Sequence, residues 1–80
     1  MSRNITINPL AGGQVITSAV ITLNNVSKTA LNGQGVTYDD VLDGNYEVLV
    51  RFGITKSFNI VVDEEHTSFD LNWDDGGLFL

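Results

Sequence analysis

The sequence predicts an all-β chain, a small single-domain antiparallel β-sandwich of about seven strands. Three observations carry this. In Tyr46, Val48, Val50 and Phe52 every second side chain is large and apolar while Glu47 and Arg51 fall between them, the period of a strand with one buried face. Asp43-Gly44-Asn45 bends the chain just before that row, Gly and Asn being the residues that tolerate the positive φ of a tight connection. No helix-length window has a 3.6-residue apolar period, and Gly, Asn, Asp and Thr are spread evenly, as in a chain with many turns.

The elements follow in order. Asn4 to Asn8 alternates through Ile5 and Ile7 and is expected to stop at Pro9, which cannot donate to a ladder. Ala11-Gly12-Gly13 is a turn, Ser18 to Asn24 puts Ala19, Ile21 and Leu23 on one face, and Asn24-Asn25 ends that strand. Lys28 to Leu31 is a weaker strand closed by Asn32-Gly33-Gln34-Gly35, after which Val36 and Tyr38 begin another inward row. Tyr46 to Phe52 and Thr55 to Val62 form a hairpin about Gly53, with Phe58, Ile60 and Val62 inward. Asp63-Glu64-Glu65-His66 is a polar turn, and Thr67 to Trp73 supplies Phe69, Leu71 and Trp73. The domain is drawn as residues 1–75 and the apolar end as a tail, 76–80.

Eighty residues make one domain with one core. Area scaling gives roughly 7,900 Å² buried on folding, worth roughly 120 kcal/mol at ~25 cal/mol/Å² if ~60% of it is apolar. Ordering the chain at ~1.5 kcal/mol per residue costs about the same. There is no cysteine to form a disulfide and no Cys or His cluster for a structural zinc, so a partner surface is the remaining aid and a homo-oligomer or a docked chain is expected. A net charge of −6, with Arg3, Lys28, Arg51 and Lys56 as the only cations, argues against nucleic acid, which needs a clustered basic face. No apolar run approaches a membrane span, and MSRNITINP lacks the apolar centre of a secretory signal.

Residues 14 to 62 carry a run of Gly13 (just before), Ala19, Ile21, Leu23, Thr29, Gly35, Tyr38, Val41-Leu42, Gly44, Tyr46, Val48, Val50 and Gly53. This run resembles the carboxypeptidase-regulatory-like and Cna-B-like domains of the prealbumin-like, Ig-like group of β-sandwiches. Ser18 stands where that family often has Gly. Many surface-adhesin members join a Lys on the first strand to an Asn or Asp on the last, with an acid between them. Asn72 and Glu47 are candidates for two of these roles, but Ile5, Thr6 and Ile7 leave the first strand without the Lys, and no such cross-link is expected.

Asp39, Asp40 and Asp43, with Asn45, form an acidic cluster that suggests calcium, yet the spacing fits no EF-hand loop, and turn acids in solvent are expected. Asp63, Glu64, Glu65 and His66 are likewise expected to be a surface turn, so no metal and no cofactor is assigned. With no Cys, one His and no nucleophile-elbow, phosphate-loop or paired-ligand motif, no catalytic residue is assigned and a non-enzyme is expected. The expected interface is protein: Val20, Leu49 and Val61 on the outward parity of three strands, and Leu78, Phe79 and Leu80 beyond the Gly76-Gly77 hinge. From these readings the expected role is a non-enzymatic structural protein of a virus particle, a bacteriophage capsid-decoration (cement) protein or short fibre subunit. It would be made in the host cytoplasm and bound to capsid or sister subunits, with no nucleic-acid or membrane partner. The alternative is a carbohydrate- or protein-binding module of a bacterial surface protein that displays its loops; a sugar-stacking platform of Trp73 and the two tyrosines is not expected, because parity assigns these rings to the buried face.

Overall fold

The computed structural model describes residues 2–31 and 33–73 with their side chains and the backbone of residues 77–79. The described residues form nine strands: β1 (Ser2–Ala11), β2 (Gln14–Val15), β3 (Val20–Leu23), β4 (Val26–Thr29), β5 (Val36–Leu42), β6 (Gly44–Phe52), β7 (Ile54–Val62), β8 (Ser68–Asn72) and β9 (Gly77–Phe79). They form two sheets, one of β2, β1, β5 and β8, the other in the order β4-β3-β6-β7-β9. The all-β sandwich is as the alternation predicts. The strands beyond the expected seven are the two-residue β2 and the three-residue β9, both too short to show a period. All pairings are antiparallel except β1 with β8, which run parallel with Thr6 opposite Ser68 and Leu10 opposite Asn72.

The core lies between the sheets. Ile5 and Ile7 of β1, Val36, Tyr38 and Val41 of β5, and Leu71 of β8 face Ile21 and Leu23 of β3, Val48 and Val50 of β6, and Ile60 and Val62 of β7, all buried. Each fully buried aliphatic contributes ~1.5–3 kcal/mol relative to exposure. Among the described residues no side-chain polar atom is buried without a hydrogen-bond partner.

Four local departures from the sequence reading have physical causes. β1 continues through Pro9, which is buried rather than terminal. The Pro9 carbonyl accepts from the Ile16 N–H at 2.8 Å, and a strand residue's N–H and C=O share one edge. The missing donor therefore falls where β1 changes partner from β5 to β2, and the ladder to β8 loses nothing. β4 begins at Val26, not Lys28, because Asn24 and Asn25 both take positive φ (51° and 65°) and close a two-residue hairpin loop between Leu23 and Val26. Asp43 alone separates β5 from β6, a tighter bend than three residues.

The fourth is a β-bulge in β5. The register steps from Arg3 opposite Val41 to Ile5 opposite Tyr38, so Asp39 and Asp40 together oppose Asn4, and Asp40 takes φ 58°. Strict alternation from Val36 and Tyr38 would send Asp40 into the core. The extra residue leaves both acids outside and turns Val41 inward.

Polar contacts close the sandwich along the β4–β5 side. Tyr38 Oη lies 2.8 Å from both the Ile21 and the Val26 carbonyl oxygens, so its one proton is shared between acceptors on two strands of the opposite sheet. Burial pushes the Tyr38 pKa up, as expected for a hydroxyl kept neutral. Lys28 Nζ donates to the Thr37 carbonyl at 2.5 Å and lies 4.8 Å from the centre of the Tyr38 ring. On the β7–β8 side Lys56 Nζ donates to the Trp73 carbonyl at 2.6 Å and sits 4.6 Å from the centre of that ring.

Two substitutions check this packing in urea melts. Tyr38→Phe keeps the ring and removes the shared proton, with an expected loss of about 1–2 kcal/mol. Gly35→Ala is expected to cost about 1–3 kcal/mol, because a Cβ there would overlap Asn8 Oδ1 and stand 2.5 Å from the Ile7 carbonyl oxygen. Gly35 has no left-handed φ, so the cost there is one of crowding alone.

Candidate functional site

The expected interface residues do not form one patch. Val20 and Leu49 are half-buried on the outer face of the five-stranded sheet. Val20 pairs with Arg51 and Thr22 with Leu49, which makes Val20 and Leu49 diagonal neighbours about 7–8 Å apart. Val61 pairs with Asn45, four residues along β6 from Leu49 and therefore roughly 13 Å away, with the Glu47–Asn59 pair between them. The backbone of Leu78 and Phe79 lies in β9, opposite Lys56 and Thr55 of β7, so residues 77–79 extend the sheet instead of leaving it as a tail. Leu80 lies outside the described residues.

The largest exposed apolar side chains near one another are at the β6–β7 hairpin tip. Phe52 and Ile54 are a cross-strand pair about Gly53 (φ 81°), 46% and 45% exposed. Parity assigns Phe52 to the core side, and that is the face it takes, but β6 outruns the sheet it packs on and the ring is left in solvent. It meets Trp73 edge-on, with ring centres 6.0 Å apart and planes at 88°. Leu31, two residues beyond the Thr29–Val20–Arg51 row, is exposed at the same end. A signal was available in the sequence: two large apolar residues flank a turn glycine where hairpin tips are usually polar.

The acidic clusters are ordinary solvent-facing groups. Asp43 accepts a fork from Arg3, Nε to Oδ1 at 2.7 Å and Nη2 to Oδ2 at 3.1 Å, which ties the start of β1 to the β5–β6 bend. This bond from Arg3 holds the Asp43 pKa below its ordinary value. Asp39 and Asp40 project from the bulge. Asp63 Oδ1 accepts from the Glu65 and His66 N–H groups, both at 2.9 Å, and lies 2.7 Å from His66 Nδ1. The hydrogen bond from His66 is the main reason the Asp63 pKa is lowered. Among the described residues no three Asp, Glu, His or Cys side chains converge to hold a metal ion. Glu47 is exposed on the outer face of its sheet, so it does not occupy the buried place that the acid of such a cross-link would need.

Among the described residues the tyrosines and Trp73 make no shared flat platform. The Tyr38 hydroxyl is committed to the core seam, Tyr46 Oη donates to the Leu42 carbonyl at 2.6 Å, and Trp73 is covered on one face by Lys56. Between β7 and β8 an open cleft of about 580 Å³ is lined by Ile60, Val61, Phe69 and Leu71 with Asp63, His66 and Asp70 around them. The sequence matches no protein-family model and no curated protein.

The two lowered carboxylates set a pH dependence. A depressed folded pKa gives stability that is present above the ordinary value of 3.8 and is lost as the pH falls through the lowered value. Unfolding experiments from pH 6 to pH 2 should show stability falling below about pH 4. Arg3→Gln should return the Asp43 carboxyl towards its ordinary titration in NMR and flatten that acid loss; an unchanged Asp43 titration would contradict the assignment.

Proposed function

We propose that this chain is a non-enzymatic structural protein of a virus particle, a bacteriophage capsid-decoration or short fibre protein built on a prealbumin-like sandwich, that works by burying surface against capsid or sister subunits. The observation that carries the reading is the apolar hairpin tip. Phe52 and its cross-strand partner Ile54 leave large side chains in solvent at one end of an acidic domain, with Leu31 exposed towards the same end. Clustered exposed apolar groups of this kind serve as contact surfaces. Association through them would add stability to a chain too small to bury much of its own surface. The acidic remainder would keep unassembled protein apart in solution.

The carbohydrate-module alternative draws less support, because sugar stacking needs an open ring face. The Phe52 and Trp73 rings stand perpendicular, and Lys56 occupies a Trp73 face.

A double variant, Phe52→Ser with Ile54→Ser, tests the role of the tip. Circular dichroism should be unchanged, since neither side chain is in the core, while binding to purified particles from the same source, measured by co-sedimentation, should weaken at least tenfold. Equal binding of variant and native protein, or no binding of native protein to particles, would remove the proposal.

A further inference from the structure

The cleft between β7 and β8 is a second surface, independent of the hairpin tip. β7 pairs with β6 along its whole length, but on its other edge β9 covers only Thr55, Lys56 and Ser57. The edge of Phe58–Val62 has no strand partner among the described residues, and β8 pairs only with β1. Two open strand edges therefore flank one opening of the core. Ile60, Phe69 and Leu71 form its apolar floor, with Asp63 and Asp70 at the rim. The Lys56–Trp73 contact bounds the cleft at one end and the Asp63–His66 turn at the other. The five residues Phe58–Val62 span roughly 17 Å, enough for a short strand.

Charge and continuity select the occupant. β9 already pairs antiparallel on this edge, with its first residue Gly77 opposite Ser57, and beyond Ser57 the same edge continues with no strand partner among the described residues. Of the four cations, Arg3 is held by Asp43, Lys28 by the Thr37 carbonyl and Tyr38, and Lys56 by Trp73. None of them lines the cleft, although Arg3 lies close enough to Asp63 to interact with it; Asp63 also binds His66, and Asp70 accepts from Asn8 Nδ2 at 3.0 Å. A second copy brings a charge of −6 to an acidic rim and is disfavoured. We propose that the cleft binds an extended basic segment of a partner protein by strand addition to Phe58–Val62. Alternate apolar side chains of that segment rest on Ile60, Phe69 and Leu71, and its Lys or Arg side chains face Asp63 and Asp70.

The probe is a blocked nine-residue peptide of alternating valine and lysine, titrated into the full-length ¹⁵N-labelled chain. Amide shifts should concentrate at residues 58–62 and 68–71. A glutamate-for-lysine peptide should bind at least tenfold more weakly, and so should a peptide N-methylated throughout, which keeps the side chains but cannot donate to an edge. Raising the salt concentration should weaken the lysine peptide. No shifts at millimolar peptide, equal binding of the glutamate peptide, or undiminished binding of the N-methylated peptide would each overturn the proposal. Concentration-dependent shifts of the same amides without peptide would assign the cleft to a second copy and overturn it too.

Discussion

The Tyr38 hydroxyl is the contact on which the geometry of this sandwich turns. Hydrophobic burial drives the two sheets together but is non-directional and does not set how they meet. Tyr38 does: from β5 it reaches the carbonyls of Ile21 and Val26 on β3 and β4, and its ring carries Lys28. Both acceptors are fixed points of the backbone, so the β4–β5 side is held in one register and at one spacing. Among the described residues the β7–β8 side has no equivalent in its middle. There a lysine and a turn bound the ends, and the cleft opens between them. The asymmetry between a fastened seam and an open one leads from the fold to the surfaces that remain available for partners.

The same economy governs charge. With only four cations in eighty residues, three are spent on internal contacts. Lys28 and Lys56 act alike, each lying over an aromatic ring with its ammonium donating to a backbone carbonyl. Arg3 anchors the first strand to the β5–β6 bend. The surface left over is more uniformly acidic than the composition alone suggests, which favours a basic partner and opposes self-association through the cleft.

Much of the fold was legible because a two-residue period is a direct imprint of a sheet with one buried face. Ile5 and Ile7, Ile21 and Leu23, Val48 and Val50, and Ile60 and Val62 are buried as alternation requires. What alternation does not encode is where a strand changes partner, gains a residue or outruns its neighbour. Pro9 is accommodated by a change of partner, Asp40 is kept outside by a bulge, and Phe52 is exposed by an overhang; each depends on the opposite strand or sheet. The parallel pairing of β1 with β8 depends on chain routing, which leaves no local mark. The candidate surfaces were less legible for the same reason. Val20, Leu49 and Val61 share an outward parity, but only the register shows that two are neighbours and the third is remote.

Native-state hydrogen exchange resolved by residue addresses the fastened and open seams directly. Amides of β3, β6 and the Tyr38 region of β5 should exchange only through global unfolding, whereas those of β8 and of Phe58–Val62, whose outer edge has no strand partner among the described residues, should exchange through local opening at distinctly lower free energy. Equal protection of the two sides, or earlier opening of the Tyr38 side, would contradict this picture of the molecule.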